Sequence, residues 1–313
     1  MAKSAAVTFS DPDGYSAGIG NARINLTVTG AGDFKAWLTQ LKLKHLEVYR
    51  CCESLPRIAY ISLPPEYMFL SFPVGTLSLI SDGFALQNGD MVLHSCGERT
   101  HQRSNGACQW GLISLSPEQF TSCSKALTGE AIAPPCASRI IRPARAHVLR
   151  LQRLFAHACH LAEAKRKLIE RPEVAITLEQ EMLHAIIRCV AADEMDYNSK
   201  TRHHHAAVMV RFEETLARLI DQKFNMPALS AEVGVPERTL RMCCAEFLGV
   251  SPTRYLLLRR LSKVHWALRR ADPSTASVAE IARNHRFLEL GRFSVTYRTT
   301  FGESPSVTLQ RGP

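Results

Sequence analysis

Short apolar runs broken by turn residues occupy the chain from about Leu41 to Leu115: LEVYRC (46–51), IAYISL (58–63), YMFLSF (67–72), TLSLI (76–80) and WGLISL (110–115). Pro64-Pro65, Asp82-Gly83 and Asn88-Gly89 separate them, and Asn-Gly is a strong tight-turn signal. Many short strands at this spacing predict a small antiparallel barrel or sandwich. After Leu115 the period changes to that of helices. Ser116 fits an N-cap, Pro117 a first helical position and Gly129 a left-handed stop. Two longer helical patterns follow. One puts Val148, Leu151, Leu154, Phe155, Ala158 and Leu161 on one face, and the other does so with Leu178, Met182, Leu183, Ile186, Ile187 and Val190. Such a hairpin either packs back on the strands or pairs with a second copy, and pairing is the expectation.

Residues 195–206, MDYNSKTRHHHA, are polar and without period, which places a linker there. His203, His204 and His205 look like a metal tract. Three adjacent side chains cannot all reach one ion from a helix or strand, so a solvated linker is expected.

The last third contains an internal repeat at an offset of 53 residues, with LGVSP (248–252) returning as FGESP (301–305). Leu240 corresponds to Phe293, Cys244 to Tyr297, Gly249 to Gly302 and Pro252 to Pro305. Each copy reads as a short helix, a turn, a second helix and a Gly-x-Ser-Pro stop. In the first, Leu229–Val233 leads, Gly234 turns, and the second helix runs from Pro236 to Phe247 or Leu248. In the second, Ser277 and Glu280 form a capping box, and the second helix spans roughly Leu290 to Thr300. Between the copies, residues 253–271 are apolar at Leu257, Leu261, Val264 and Leu268 and basic elsewhere. A helix of about 18 residues there is about 27 Å long, near the roughly 34 Å between successive major-groove faces of DNA.

Composition narrows the reading. A chain of 313 residues suits about two domains, and 46% hydrophobic with 21% charged residues is globular. No apolar run reaches membrane-span length, and the N-terminus lacks the apolar region of a secretory signal, so a cytoplasmic protein is expected. The ten cysteines contain no C-x-x-C, which fits small buried hydrophobes better than a disulfide framework or zinc site. Of the net charge of +9, the segment from Ala207 onward carries sixteen Lys and Arg against ten Asp and Glu, the footprint of a phosphate-backbone binder. No G-x-S-x-G elbow, Walker loop or dinucleotide fingerprint is present.

The motifs LSAEVGVPERTL (229–240), GVSPTRYLLLRRL (249–261), IARNHRF (281–287) and LGRFSVTYRTTFGESP (290–305) closely resemble the DNA-binding domain of the AraC/XylS family of transcription regulators over about 100 residues. The LGRFS…YR…FGESP form further resembles the branch that includes the ethanolamine-operon regulator. The resemblance implies two domains: an N-terminal, mainly β, cupin-like barrel with following helices, and an all-α C-terminal domain with two helix-turn-helix motifs joined by a linker helix. Expected boundaries are 1–145 for the cupin-like sensor, 146–195 for a helical hairpin serving dimerisation, 196–206 for the linker and 207–313 for the DNA-binding domain. The implied function is a sequence-specific transcription regulator, in the sense of an activator, that answers a small-molecule effector. Its expected partners are promoter or operator DNA, RNA polymerase, that effector and a second copy of itself, with no cofactor. The alternative is a cupin-type enzyme with an appended DNA-binding domain; a third reading is an architectural protein without sequence preference.

The outward face of each second helix should reach the groove. This names Glu237, Arg238, Arg241 and Met242 in copy one and Gly291, Arg292, Ser294, Val295 and Arg298 in copy two. Leu240, Phe247, Phe287, Phe293, Tyr297 and Phe301 are expected core. Arg259, Arg260, Lys263, Arg269 and Arg270 either border phosphates or form a solvated face. Three positions depart from the family pattern: Met242 where arginine is frequent, Cys244 where an aromatic is usual, and Arg286 in place of a turn glycine. Arg286 must therefore accept a left-handed backbone, or the turn moves to Asn284 or His285. In the N-terminal part, His94, Glu98 and His101 are candidate ligand-binding residues. The H-x-H spacing of metal cupins is absent, so no metal is expected. Trp37, Trp110 and Phe72 are candidate pocket walls or ordinary core.

Overall fold

Strand follows strand as far as Ile141. In chain order these are β1 (Lys3–Phe9), β2 (Arg23–Val28), β3 (Ala36–Lys42), β4 (Leu46–Glu53), β5 (Arg57–Ser62), β6 (Met68–Pro73), β7 (Leu79–Ser81), β8 (Phe84–Leu86), β9 (Met91–His94), β10 (Arg99–Ser104), β11 (Cys108–Leu115) and β12 (Arg139–Ile141). Helix α1 (Pro12–Gly18) lies between β1 and β2, and α2 (Pro117–Thr128) follows β11. The computed structural model describes residues 2–75, 78–191, 200–218 and 225–311, without the side chains of 200–203. Of the expected strand 76–80, residues 76 and 77 therefore lie outside the described residues.

Among the described residues the strands form a seven-stranded sheet in the order β1-β3-β4-β11-β6-β9-β12 and a five-stranded sheet in the order β2-β5-β10-β7-β8. The N-terminal part is thus β-rich, as its pattern implies, but its two sheets do not join into a closed barrel. Side-chain alternation explains how they stack. Along β11, Cys108, Trp110 and Leu112 point to one apolar cluster, shared with Ala59, Ile61 and Leu79 of the smaller sheet. Ile113 and Leu115 point the other way, into a cluster shared with helices. Gly111 sits on that second side because a Cβ there would lie 2.6 Å from the Phe72 ring and 2.9 Å from that of Phe155.

The helices on that side are α2, α3 (Arg145–Ala164), the single turn α4 (Arg166–Ile169) and α5 (Pro172–Ala191). The caps of α2 are those its sequence predicts: the Ser116 side chain accepts from Gln119 N, and Gly129 is left-handed at φ 83°. The apolar stripes of α3 and α5 bury against the seven-stranded sheet. The hairpin thus spends those stripes within its own chain, and pairing between copies would use its outward faces. Trp110 and Phe72 are core, whereas Trp37 is 48% exposed.

The C-terminal helices are α6 (Lys200–Arg218), α7 (Met226–Val233), α8 (Glu237–Leu248), α9 (Pro252–Arg270), α10 (Val278–Asn284), α11 (Leu290–Phe301) and α12 (Pro305–Gln310). Of the expected linker 196–206, residues 196–199 lie outside the described residues, and 200–206 form the first turns of α6. His205 is no solvated linker residue: its Nδ1 stands 2.7 Å from Glu246 Oε2 on α8. Every described cysteine is a free thiol, most of them buried.

Candidate nucleic-acid interface

Each half of the C-terminal domain builds its own small core. In the first, Phe212 and Leu216 of α6, Leu229 and Val233 of α7, and Leu240, Cys244 and Phe247 of α8 pack together with Tyr255. Cys244 thus fills the core position where an aromatic is usual in the family. In the second, Ala282, Phe287, Phe293, Tyr297, Phe301 and Leu309 surround Leu261, Val264 and Leu268 of α9. One helix therefore takes part in both cores and fixes the spacing of the two motifs.

Local chemistry explains where the helices start and stop. Asn225 caps α7 by accepting from Ala228 N at 3.0 Å, and Gly234, at φ 74°, turns the chain toward α8. Ser277 caps α10 through Glu280 N, while Gly249 and Gly302 end α8 and α11 in the left-handed region at φ 71° and 77°. At the second turn Arg286 itself is left-handed at φ 67°, with its N–H donating to Arg283 O at 2.8 Å. The turn has not moved to Asn284 or His285; a side chain simply occupies the glycine position.

Burying one face of α8 and α11 leaves the other in solvent. Arg238, Arg241 and Met242 are exposed on α8 and Glu237 partly so; Gly291, Arg292, Ser294, Val295 and Arg298 are exposed on α11. Arg241 pairs with Glu237 at 2.5 Å, one helical turn back, and Arg292 with Glu289 at 3.3 Å. Ser294 Oγ donates to Leu290 O at 3.0 Å, so its hydroxyl is engaged with its own helix. Each helix thus offers a guanidinium held by an acid about one turn back, Arg241 on α8 and Arg292 on α11, on a face that no described residue covers.

The basic residues of α9 divide differently from the expectation of phosphate contacts or a solvated face. Arg259 Nη1 pairs with Glu213 at 2.6 Å, Arg270 pairs with Asp11 at 2.7 Å and Asp13 at 3.2 Å, and Arg260 lies over the Phe287 ring at 4.9 Å. With Ser262, which donates to Val28 O of β2, and Trp266, edge-on to Phe34 in the loop after β2, Arg259 and Arg270 form a stripe at helical spacing along α9. Glu213 is the centre of this contact and was not apparent from the sequence, where an acid on an amphipathic helix reads as solvated. It is 3% exposed and meets Tyr255 OH at 2.7 Å and His101 Nε2 at 3.2 Å. Burial pushes its carboxyl up, but the hydrogen bond from His101 and the Arg259 charge outweigh this and hold it below the usual carboxylate range. Its one legible sign was its place among the inward positions Val208, Met209, Phe212 and Leu216.

The three N-terminal candidates do not converge on one pocket. His94 is buried between Ser71 at 2.8 Å and Ser138 at 3.3 Å, and burial pushes its pKa down to about 4. Glu98 accepts from Ser95 and is pushed up to about 7 by burial and by the Asp82 charge. His101 turns outward to Glu213. A cleft of about 1300 Å³ lies elsewhere, between the domains, where α1 and β2 face α9. Ile24, Leu26, Tyr67 and Trp266 supply apolar lining, and Arg23, Arg99, Arg259, Lys263 and Arg270 outnumber the acid Asp13. Among the described residues no helix is long and apolar enough to cross a membrane.

Comparison with known proteins agrees with this geometry. A family model described as a helix-turn-helix domain matches residues 229–311. A probable thc operon regulatory protein of Rhodococcus erythropolis is 31% identical over 157 residues, 49% of this chain and 46% of that protein. A XylDLEGF operon transcriptional activator 2 of Pseudomonas putida is 39% identical over 90 residues, 29% of this chain and 57% of that one. The chain spans about half the length of these curated relatives. Among solved structures, a probable AraC family transcriptional regulator from Rhodopseudomonas palustris is 31% identical, covering 34% of this chain and 98% of that one with a TM-score of 0.30.

Proposed function

The chain belongs, through its C-terminal domain, to the AraC type of helix-turn-helix proteins, and from that premise we propose that it is a sequence-specific transcription regulator acting as an activator on promoter DNA in the cytoplasm. The observation that carries this reading is the pair of exposed, arginine-bearing second helices on two small cores strung along one rigid helix. With 19 residues, α9 is about 28 Å long, suited to setting α8 and α11 into successive major-groove faces of one duplex.

The direct test is enrichment of bound duplexes from a random-sequence pool, followed by affinity measurement at one fixed salt concentration. A regulator of this kind binds its enriched site on the order of a thousandfold or more tighter than random DNA. Arg292→Ala should then cost about 1–3 kcal/mol and relax preference at one position. Equal affinity for enriched and random duplexes would leave an architectural DNA-binding protein instead.

The N-terminal part is read as the sensor, with a cupin-type enzyme as the second reading: His94 is engaged by Ser71 and Ser138, Glu98 by Ser95, and His101 by Glu213 of the other domain. The interdomain cleft is the proposed effector seat: Ile24, Leu26, Tyr67 and Trp266 give it an apolar lining, and an organic anion there would compete with Glu213, Glu214, Asp11 and Asp13 for the guanidinium groups of Arg259, Arg99 and Arg270. A ligand there touches both the sheet and α9, so it can change how the reader sits on the sensor and how the pair meets RNA polymerase. A second copy would pair through the outward faces of α3 and α5, where Leu149 and Ile176 remain exposed. Thermal-shift screening of organic anions, followed by DNA titration with any hit, tests the effector. A ligand that raises the melting temperature without changing DNA affinity or promoter output would count against sensing.

A further inference from the structure

The 53-residue repeat equates Met242 with Val295, and both are among the large apolar side chains the fold leaves in solvent, 49% and 68% exposed. Each lies in the middle of its helix's outward face, opposite a well-filled core: Leu240, Cys244 and Phe247 behind Met242, and Phe293, Tyr297 and Phe301 behind Val295. Neither core needs these two side chains, and water disfavours both of them where they stand. The same exposed apolar choice at the same position of two otherwise divergent copies points to a shared contact.

We propose that Met242 and Val295 are the sequence-reading knobs of the two motifs, each packing on the C5 methyl of a thymine in the major groove. This rests on the reading of α8 and α11 as the groove-entering helices. The charge around each knob suits DNA over a protein partner. Arg238 and Arg241 flank Met242, Arg292 and Arg298 flank Val295, and the whole C-terminal third has a basic surplus. Among base-edge groups in the major groove, the thymine methyl is the apolar one.

The two copies also differ in a way that fixes the order of contacts. Arg238 stands one turn before Met242, and its counterpart in α11 is Gly291; Arg298 stands one turn after Val295, and its counterpart in α8 is Ala245. A Cβ at Gly291 would meet nothing within 4 Å, so that glycine relieves no crowding inside the chain. Its effect falls outward: it removes a side chain beside Val295, and the short isopropyl group can then reach a base edge that the longer Met242 reaches past Arg238. A guanidinium thus precedes the knob in both motifs (Arg238 and Arg241 in α8, Arg292 in α11), whereas one follows it a turn later in α11 alone (Arg298). The two half-sites each contain a thymine but are not copies of one sequence.

The test uses the full-length protein and the enriched duplex. Each thymine is replaced in turn by deoxyuridine, which keeps every hydrogen-bonding group and removes the methyl. One thymine in each half should weaken binding about fourfold, the value of one buried methyl-sized group, and the others should have no effect. Val295→Ser should abolish the difference between thymine and deoxyuridine under α11 alone, and Met242→Gln the difference under α8 alone. Because both side chains are exposed, the variants should keep the wild-type melting temperature. Insensitivity to deoxyuridine at every position, enriched halves without thymine, or a Val295→Ser protein that keeps the full ratio would overturn the proposal. If Arg292→Ala still loses specificity in those cases, the groove reading stands and the knob assignment falls; if no sequence is enriched at all, both fall.

Discussion

At the scale of single residues, Arg286 and two buried histidines are where side-chain chemistry and fold are in tension. A non-glycine residue at φ 67° places its Cβ against the following carbonyl, at a cost of about 1–2 kcal/mol. Arg286 is exposed, so removing its side chain sacrifices little packing. Arg286→Gly should raise stability by about 1 kcal/mol, a few degrees in the melting temperature at constant DNA affinity; an unchanged or lower midpoint would mean that the arginine makes a contact worth more than its strain. His265 is buried between Tyr297 and Phe301, with Nδ1 2.7 Å from Tyr297 OH, and burial together with the Arg269 charge pushes its pKa down to about 4. His94 is pushed equally low by burial in the other domain. With folded values near 4 and an unfolded value near 6.5, the unfolded chain binds more protons between these limits. The histidine contribution is therefore full above about pH 6.5 and falls as pH drops toward 4, by up to roughly 3 kcal/mol per histidine, while Glu98, raised to about 7, works in the opposite sense over the same range. Denaturant midpoints between pH 7 and pH 5 read the sum of these contributions, so the test is the difference between variants. His265→Phe should make the protein lose less stability on acidification than the wild type, and an identical pH dependence in the two would contradict the buried neutral imidazole.

At the scale of elements, α9 sets the distance and the angle between the two motifs. One extra residue in a helix advances it by about 1.5 Å and turns it by about 100°. Insertion of one alanine after Leu261 would leave Tyr255 in the first core and swing Val264 and Leu268, with the second core, out of register with the first. Specific binding should fall on the order of a thousandfold toward the non-specific level, with helix content retained by circular dichroism; unchanged specificity would mean that the motifs read DNA independently of α9. How far such elements were legible follows from how local their causes are. The bounds of α2, α8 and α11 were readable because Ser116-Pro117, Gly249 and Gly302 determine them through neighbouring backbone groups. The exposed faces of α8 and α11 followed from helical period alone. By contrast β1 and β2 lack long apolar runs and take their structure from pairing with β3 and β5, which no local pattern announces; α1 does have a local cause, the Asp11 cap before Pro12. The roles of Arg259 and Arg270 were hidden for the same reason, since the acids that receive them lie as far away in sequence as Glu213 and Asp11.

At the scale of the molecule, the layers run from the helices α2, α3 and α5 through the two sheets to the reader domain. The smaller sheet gives one face to the sandwich and the other to the reader: Ala59 and Ile61 of β5 point inward, while Ile58 joins the reader's first core. Both motifs touch the sensor. Gly249 lies against the Arg103 guanidinium, and Arg311 pairs with Asp33 at 3.1 Å. Yet the outward faces of α8 and α11 remain exposed, so the N-terminal domain holds the C-terminal one without covering them. Magnitudes identify which contact matters most. The pairs of Arg270 with Asp11 and Asp13 join side chains that are about a third to two thirds exposed, and pairs of this kind are worth about 0–1 kcal/mol. Trp266 is 9% exposed and belongs to the apolar cluster of the sandwich together with Phe34, not to either reader core. Its removal should cost about 3 kcal/mol or more, taken almost wholly from the attachment of the two domains. Trp266→Ala should therefore split thermal unfolding, followed by calorimetry, into separate sensor and reader transitions, while Arg270→Ala should leave the wild-type profile nearly unchanged. Because the exposed side chains proposed to meet DNA lie away from Trp266, the alanine variant should still bind the enriched duplex, now without any response to a ligand in the cleft it lines. A split in Arg270→Ala would place the attachment in the exposed charges and make the restraint sensitive to salt, whereas a single transition in Trp266→Ala would place it in the other buried contacts, Ile58 in the first core and His101 with Glu213.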